Sequence, residues 1–280
     1  AYNIIKRLSI YWRNDNKKAV FWAGKLKRWM RSNFLKIVLD GPKPQAVIVL
    51  GGDGAILAAA QKYQHQRPLI IGLNLGHVGF LASVREPNKF LPALKKFLKG
   101  EYRTVKRMMI KGEVFRGGRK IFSANALNDI SIQNLLGMVE IEAGVDGHPI
   151  QYIRGSGVLV ATATGSTAYN LSAHGPIVMP DIKCMILTEI MDHNIPTPSI
   201  VIKRDREITF KIVDFRRRGL IKLANTGEDA DVVITADGDK ICSLKKGDII
   251  KIRRSPGLVK FAELERAYFF KSLTEKFTFR

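Results

Sequence analysis

The chain is 280 residues long, with 46% hydrophobic and 25% charged residues, which excludes a disordered chain and allows one large domain or two ordinary ones. Its 46 Lys and Arg residues against 25 Asp and Glu give a formal charge of +21. This excess favours anionic partners, although a basic composition spread along the chain explains it equally well. No apolar run reaches the roughly 18 residues that span a bilayer, and the two cysteines lack CxxC or zinc spacing. We therefore expect a reducing, cytoplasmic setting.

Strands and helices alternate over the first hundred residues. Asn3–Tyr11 predicts a strand, and Asn16–Ser32 predicts a basic amphipathic helix with Trp22, Leu26 and Trp29 at helical spacing. Such a helix could lie on a membrane, but the strands that follow favour a helix that covers a sheet. The next predicted elements are the strand Ala46–Leu50, the helix Ala55–Tyr63, the strand Pro68–Leu73 and the helix Pro87–Lys99. This order predicts a parallel α/β sheet.

Short alternating strands and glycine turns replace this pattern after Gly100. Ile208, Phe210 and Ile212, for example, alternate with Thr209 and Lys211. The predicted strands include Met109–Phe115, Lys120–Ala124, Val139–Val145, Glu207–Val213, Asp231–Ala236 and Asp248–Arg253. They indicate an all-β domain of the sandwich type. We predict an α/β domain at 1–102, a β-sandwich at 103–258, and a tail at 259–280 that returns to the first domain.

The sharpest motif is Gly51-Gly52-Asp53-Gly54, which follows the apolar strand Ala46–Leu50. Glycines at such a turn allow a phosphate to approach the backbone, and the helix start presents unpaired N–H groups to it. A carboxylate would repel a phosphate, so Asp53 makes sense if it binds Mg²⁺ or accepts a proton from an attacking hydroxyl. The alternative is an ordinary turn in which Asp53 caps the helix.

Two further motifs carry polar side chains suited to a nucleotide. Asn128-Asp129 precedes a strand and can bond an adenine edge or a ribose hydroxyl, although an Asn-Asp pair is also a common turn. The segment Thr162–Ser172 surrounds Gly165 with hydroxyls and adds Tyr169, whose ring can stack or pack. Its alternative interpretation is a loop that is merely rich in Ser and Thr.

Taken together, the motifs resemble those of the NAD kinase family. The matching segments, in the family's order, are GGDG at Gly51–Gly54, Asn74–Leu81, Asn128-Asp129, the TGSTAY at Thr164–Tyr169, Ala236-Asp237-Gly238 and Tyr268–Phe277. The resemblance spans about Val47 to Phe277. GGDG is shared with diacylglycerol and sphingosine kinases, whereas the TGSTAY segment singles out NAD kinases.

The resemblance implies a Rossmann-like first domain, a β-sandwich second domain, and phosphorylation of the 2′-hydroxyl of the adenosine ribose of NAD to give NADP. It implies ATP or polyphosphate as donor, Mg²⁺ as cofactor, and a homodimer or homotetramer. Asp53 is the implied catalytic residue, as general base or metal contact. The implied NAD-binding residues are Asp53, Gly54, Asn128, Asp129, Arg154, Ser156, Thr164, Thr167, Ala168, Tyr169, Ser172 and Asp239. The implied phosphate-binding residues are Gly51, Gly52 and Gly54.

Several positions depart from the family pattern. Ala55 stands where Thr or Ser is usual, so a hydroxyl that could bond phosphate is missing. Ser156 replaces an Asp, His174 replaces a Gly, and Asp239 replaces a Gln. His193 stands at a position where the family also has a histidine. We assign a proton-transfer role neither to His193 nor to His77. Because the core motifs survive, we expect a divergent but active member.

Two other functions stay open from the sequence. A lipid kinase of the diacylglycerol or sphingosine type shares GGDG, and a non-catalytic NAD(P)-binding regulator would fit the departures at Ala55 and Ser156. We expect NAD and ATP as substrates. We expect no membrane partner. We also expect no specific nucleic-acid partner, because no RGG tract, RNA-binding aromatic signature or C2H2 pattern is present.

Overall fold

A computed structural model describes residues 5–76, 79–192, 197–224, 226–265 and 267–277. The chain forms two compact units, Ala1–Arg107 with Gly257–Arg280 (unit 1) and Met108–Pro256 (unit 2). The strands are β1 Arg7–Trp12, β2 Val38–Leu39, β3 Ala46–Leu50, β4 Leu69–Leu73, β5 Arg103–Arg116, β6 Arg119–Ala126, β7 Asp129–Asn134, β8 Val139–Val145, β9 His148–Thr162, β10 Cys184–Asp192, β11 Ile200–Lys203, β12 Ile208–Phe215, β13 Val232–Ala236, β14 Lys240–Ser243 and β15 Ile249–Glu263. The helices are α1 Lys17–Asn33, α2 Asp53–Lys62, α3 Phe90–Leu98, α4 Tyr169–Ser172 and α5 Tyr268–Phe277. The fold is therefore a sheet-rich mixture of helices and strands.

Unit 1 contains a parallel sheet with the order β2-β1-β3-β4-β15. All five residues of β3 are buried, as expected for a central parallel strand that is covered on both faces. The core of this unit includes Leu8, Ile48, Ile71, Phe90 and Phe97. The predicted strands at Ala46–Leu50 and Pro68–Leu73 thus correspond closely to β3 and β4.

The basic helix α1 packs on this core, as the sequence predicted. Asn16 caps its N-terminus by accepting a hydrogen bond from the Ala19 N–H at 3.1 Å. Its fully buried residues are Ala19, Ala23, Leu26 and Met30. Trp22 and Trp29 are only half-buried at the edge of this contact. The buried face of α1 is therefore centred on Leu26 and the alanines, and the two tryptophans of the predicted apolar face lie at its edge.

Unit 2 consists mainly of antiparallel strands in the order β14-β13-β7-β9-β8-β12-β15. β9 also pairs with β10, β10 pairs with β11, and β5 pairs with β6. The core includes Val160, Met185, Phe210, Ile234 and Ile250. These residues come from distant strands that all present alternate residues inward, which explains the period-two pattern in the sequence.

Some predicted boundaries were wrong. The helix predicted at Ala55–Tyr63 begins at Asp53, and β1 begins at Arg7 rather than Asn3. β15 extends to Glu263, although the sequence predicted a strand only over Asp248–Arg253. The closing segment forms the helix α5, whose amphipathic pattern is obscured by the run of aromatic residues at its start. Within the part of the chain described here, no helix is both long and apolar enough to cross a membrane.

Candidate active site

The GGDG motif forms the turn from β3 into α2. Gly51 donates its N–H to the Leu73 carbonyl at 3.0 Å and has a φ of +147°. A Cβ atom at Gly51 would lie 2.7 Å from the Cβ of Ala55, so only glycine allows this tight entry into the helix. Gly54 is exposed and has open space beside it. The loop therefore leaves backbone at the helix N-terminus accessible to a ligand.

Asp53 is half-buried in the first turn of α2, and its carboxylate does not cap this helix. Its two oxygens accept hydrogen bonds from the N–H groups of Phe80 at 2.8 Å and Leu81 at 3.1 Å. Burial raises the pKa of Asp53 above its ordinary value, and the two amides and the cations Lys276 and Arg85 oppose this shift. The alternative of Asp53 as a helix cap is wrong, because the cap position is Gly52 and makes no side-chain bond.

The segment around Gly79 is shaped to receive this carboxylate. A Cβ atom at Gly79 would lie 2.2 Å from Asp53 Oδ1, so this position must lack a side chain. α5 supports the same segment, because Ser272 donates its hydroxyl to the Gly79 carbonyl at 3.1 Å and Phe269 packs on Phe80 at 5.8 Å between ring centroids. Sequence reasoning did not assign these contacts; the resemblance at Asn74–Leu81 and Tyr268–Phe277 was the signal that could have found them.

In unit 2, Asn128 lies in the short connection between β6 and β7, Asp129 is the first residue of β7, and both are buried. The carboxylate of Asp237 accepts hydrogen bonds from the N–H groups of Leu127 at 2.8 Å, Asn128 at 2.7 Å and Asp129 at 3.2 Å. Asp237 has a φ of +50° and Gly238 a φ of +74°, the geometry of a tight turn between β13 and β14. The Asp237-Gly238 turn therefore fixes the backbone of the Asn128-Asp129 pair.

The hydroxyl-rich segment packs directly against this pair. Thr162 donates its N–H to the Asn128 carbonyl at 2.8 Å and its hydroxyl to the Leu127 carbonyl at 2.6 Å. A Cβ atom at Gly165 would lie 2.1 Å from the Asn128 carbonyl oxygen, so the glycine permits the approach. Tyr169 donates its hydroxyl to Gln133 Oε1 at 3.0 Å. The Asn128-Asp129 pair and the hydroxyl-rich segment Thr162–Ser172 are thus packed together as one cluster.

Two buried polar groups of this cluster are unusual, the side-chain oxygen of Asn128 and the carboxyl group of Asp129. Asn128 Oδ1 is buried and has no hydrogen-bond partner among the described residues. The pKa of Asp129 is raised to about 7, first by burial and then by the charge of Asp237. The charge of Asp129 in turn contributes, after burial, to raising the pKa of Tyr169. Perturbed and unpartnered polar groups of this kind concentrate at functional sites.

The other predicted NAD-binding residues of unit 2 differ in their exposure. Thr164 and Thr167 are buried beside Gly165, Ala168 and Ser156 are half-buried, and Ser172 and Asp239 are exposed. Arg154 is exposed and forms an ion pair with Glu140 at 3.3 Å.

The structure shows the local backbone environment of two departures from the family pattern, Ala55 and His174. Ala55 donates its N–H to Gly52 and is buried, so it presents neither a hydroxyl nor a free amide to a phosphate. His174 has a φ of +62°, a conformation that favours the glycine usual there. His77 and His193 lie outside the described residues.

Among the described residues, no three His, Cys, Asp or Glu side chains form a group that could hold a metal ion. Asp53 offers one hard carboxylate, and each of its oxygens keeps an electron pair beyond its amide bond. Mg²⁺ is commonly held by one or two carboxylates together with substrate phosphates and water. The residues present therefore fit a magnesium ion that arrives with a nucleotide, and not a cage built by the protein alone.

A glycine-rich turn with a fixed, half-buried carboxylate, in a chain that also carries a hydroxyl-rich segment on an Asn-Asp pair, defines a nucleotide-dependent phosphotransferase. Family models agree: the ATP-NAD kinase N-terminal domain matches residues 40–102, and the ATP-NAD kinase C-terminal domain matches residues 128–264. The chain belongs to the NAD kinase family. The lipid-kinase and regulator alternatives are not favoured by these matches.

Individual relatives are similar over most of their length. The NAD kinase of Geobacter metallireducens is 38% identical over 210 residues, which cover 74% of this chain and 69% of the relative. The NAD kinase of Syntrophotalea carbinolica is 30% identical over 293 residues, with 97% of this chain and 98% of the relative covered. Identity at this level over these shares of both chains supports the same family assignment.

Solved structures show the same fold at lower identity. Yeast NADH kinase complexed with NADH superposes with a TM-score of 0.88 at 17% identity, covering 99% of this chain and 89% of that one. An NAD kinase from Archaeoglobus fulgidus in complex with ATP gives a TM-score of 0.74 at 24% identity, with 95% and 96% covered. At these identities the likeness concerns the fold.

Proposed function

We propose that this chain transfers the γ-phosphoryl group of ATP to the 2′-hydroxyl of the adenosine ribose of NAD, giving NADP and ADP. The observation that carries the proposal is the Asp53 carboxylate. It is half-buried at the start of α2, directly after Gly51 and Gly52, and two backbone N–H groups fix its orientation. A carboxylate held in this way beside a phosphate-binding turn suits proton acceptance better than phosphate binding.

In the reaction, the ribose oxygen forms a bond to the γ-phosphorus while the bond from that phosphorus to the β,γ-bridging oxygen breaks. The hydroxyl proton passes to Asp53, and ADP leaves with the bridging oxygen. Phosphoryl transfer depends mainly on positioning and charge neutralisation, so orientation of the hydroxyl is the larger task of Asp53.

Gly52 and Gly54 would contact phosphates through backbone N–H groups at the start of α2. The N–H of Gly51 is donated to the Leu73 carbonyl, so this glycine would serve the phosphate site by allowing the tight turn. Mg²⁺ bound with the nucleotide would be held by Asp53 and the phosphates, and it would neutralise charge that develops on the transferred group. The donor-binding role of this turn is supported by the open space beside Gly52 and Gly54.

The dinucleotide would be bound by unit 2. Asn128 Oδ1 is an unpartnered acceptor suited to an adenine amino group, and Asp129 is suited to a ribose hydroxyl. The remaining proposed contacts are Arg154, Ser156, Thr164, Thr167, Ala168, Tyr169, Ser172 and Asp239. Of these, Thr164, Thr167, Ala168 and Tyr169 have the best support, because their segment is hydrogen-bonded to the backbone at Leu127 and Asn128.

The two units are also proposed to have particular folds. The parallel sheet of unit 1 supports a Rossmann-like domain, and the antiparallel strands of unit 2 support a β-sandwich. We keep the boundaries 1–102, 103–258 and 259–280 as proposals. Polyphosphate as an alternative donor, a cytoplasmic setting and a homodimer or homotetramer are proposed on the family resemblance and on cysteine usage alone.

The test is NADP formation from NAD, ATP and Mg²⁺, read with an NADP-specific dehydrogenase, for wild type, Asp53→Asn and the control Asp15→Asn. We expect Asp53→Asn to lose at least about a hundredfold in kcat, because general-base and orienting groups contribute roughly 10²–10⁴. Asp15 is an exposed acid of unit 1 and its variant should keep wild-type turnover. Near-normal turnover by Asp53→Asn would show the assignment to be wrong; thermal melting and NAD binding establish that the variant is folded.

A further inference from the structure

The positive charge of the chain is concentrated in unit 1. This unit has 26 Lys and Arg residues against 8 Asp and Glu, a formal charge of +18. Unit 2 has 20 against 17, a formal charge of +3. The interpretation of a basic composition spread along the chain is therefore wrong, because such a composition would charge both units alike. A feature specific to unit 1 is needed to explain the excess.

Helix α1 has an outer face without any acidic residue. Its exposed cations are Lys17, Lys18, Lys25, Arg28 and Arg31. No Asp or Glu occurs between Asn16 and Leu39 in the sequence. Among the described residues, the cation of α1 that has an acidic partner is Lys27, which pairs with Asp40 at 2.7 Å from the side of the helix. We call the five exposed cations, together with Val20 and Phe21, the cationic face.

This arrangement works against the stability of the helix. Lys25, Arg28 and Arg31 follow one another at spacings of three, where like charges repel. Lys17 and Lys18 lie in the first turn, where the helix dipole favours acidic residues. The opposite face already attaches α1 to the core through four buried side chains. Two of the cations contribute to the helix, because Lys25 lies 4.4 Å from the centre of the Trp22 ring and Arg31 suits the dipole of the last turn. The other three have no such role, and an excess of cations on one face indicates an external partner with negative charge.

Apolar side chains at the centre of the face narrow the class of partner. Phe21 is 62% exposed, and it is flanked by Lys17 and Lys25 one turn away on either side. Val20 is 45% exposed beside it, and Leu35, just beyond the helix, is 88% exposed. A nucleic-acid backbone offers phosphates but no apolar layer for these groups. A second copy of this face would meet five cations with five cations.

We propose that the cationic face docks on an anionic phospholipid surface, with the five cations at the headgroups and Phe21 in the outer acyl region. Basic residues near such a surface are attracted by its negative potential, and one inserted aromatic side chain adds affinity. The proposal replaces the expectation that no membrane is a partner. α1 lies before residue 40, outside the residues matched by the family models. None of the residues of the cationic face is a proposed site residue, so docking and phosphoryl transfer can be tested separately.

The test is co-sedimentation of the full chain with vesicles of phosphatidylcholine alone or mixed with an equal part of phosphatidylglycerol. We expect binding to the mixed vesicles only, and weaker binding as salt increases. Lys25→Gln with Arg28→Gln should lower the partition coefficient roughly twenty-five-fold, at about fivefold for each cation. The control Arg216→Gln with Lys222→Gln removes two exposed cations of unit 2 and should bind as wild type does.

A Phe21→Ser variant separates insertion from attraction. We expect it to lose about tenfold in partition coefficient while retaining the wild-type salt dependence. All variants should form NADP at the wild-type rate without vesicles, which shows that they are folded. The proposal is overturned by equal binding to both vesicle types or by equal losses in the test and control pairs. It is also overturned if short duplex DNA, at equal phosphate concentration, displaces the chain from mixed vesicles.

Discussion

Replacing Asp129 by asparagine should stabilise the protein at pH 8 and leave its stability almost unchanged at pH 4. Asp129 is only 7% exposed, and its pKa is raised from 3.8 to about 7 by burial and by the charge of Asp237. In the unfolded chain the same carboxyl ionises near pH 4. Between pH 4 and 7 the folded state therefore holds a proton that the unfolded state has released, so stability falls as pH rises.

The shift of about 3 pKa units corresponds to about 4 kcal/mol, because each unit is worth about 1.4 kcal/mol. An asparagine side chain cannot ionise, so the Asp129→Asn variant escapes this cost above pH 7. At roughly 2–4 °C per kcal/mol, we expect the melting temperature of the variant to exceed that of wild type by about 8–16 °C at pH 8. The same variant should bind NAD at least about tenfold more weakly, since it loses a charged acceptor.

The assay is thermal unfolding of wild type, Asp129→Asn and the control Asp181→Asn at several pH values from 4 to 8, with NAD titration at pH 8. Asp181 is an exposed acid of the same unit, and its removal should not change the pH dependence. A stability difference between Asp129→Asn and wild type that is the same at pH 5 and pH 8 would refute the reasoning. An unchanged affinity for NAD would remove Asp129 from the binding site.

Two further predictions concern unit 2. Gly165→Ala should lower the melting temperature and weaken NAD binding, because its Cβ would lie 2.1 Å from the Asn128 carbonyl oxygen; we expect about 1–3 kcal/mol of destabilisation, and an unchanged melting temperature would contradict the packing described. Glu113 is buried among Lys111, Lys120 and Arg253, and its pKa is lowered to about 2, chiefly by the hydrogen bond from Lys111. Its contribution is present above pH 4.5 and lost as pH falls towards 2, so Glu113→Gln should cost about 1–3 kcal/mol in urea unfolding at pH 7 and progressively less in acid.

Local patterns in the sequence predicted much of the secondary structure. The strand Val139–Val145 was predicted with the bounds of β8, and α1 was predicted to within one residue. The extent of β15 and the existence of α5 were missed, because strand length depends on partners elsewhere in the sheet and because aromatic residues mask the helical period.

The sequence by itself determined the turn from β3 into α2, the Asn-Asp pair, the hydroxyl-rich segment and the family to which the chain belongs, because each depends on contiguous residues. Only the tertiary structure decided how these groups are held. The amides that fix Asp53 come from residues 27 and 28 positions later, and the carboxylate that orders Asn128 comes from a residue 109 positions away. Hydrogen bonds and burial of this kind depend on which strands pair and which turns meet. No local pattern specifies that pairing, and it is the pairing that sets the pKa of Asp129.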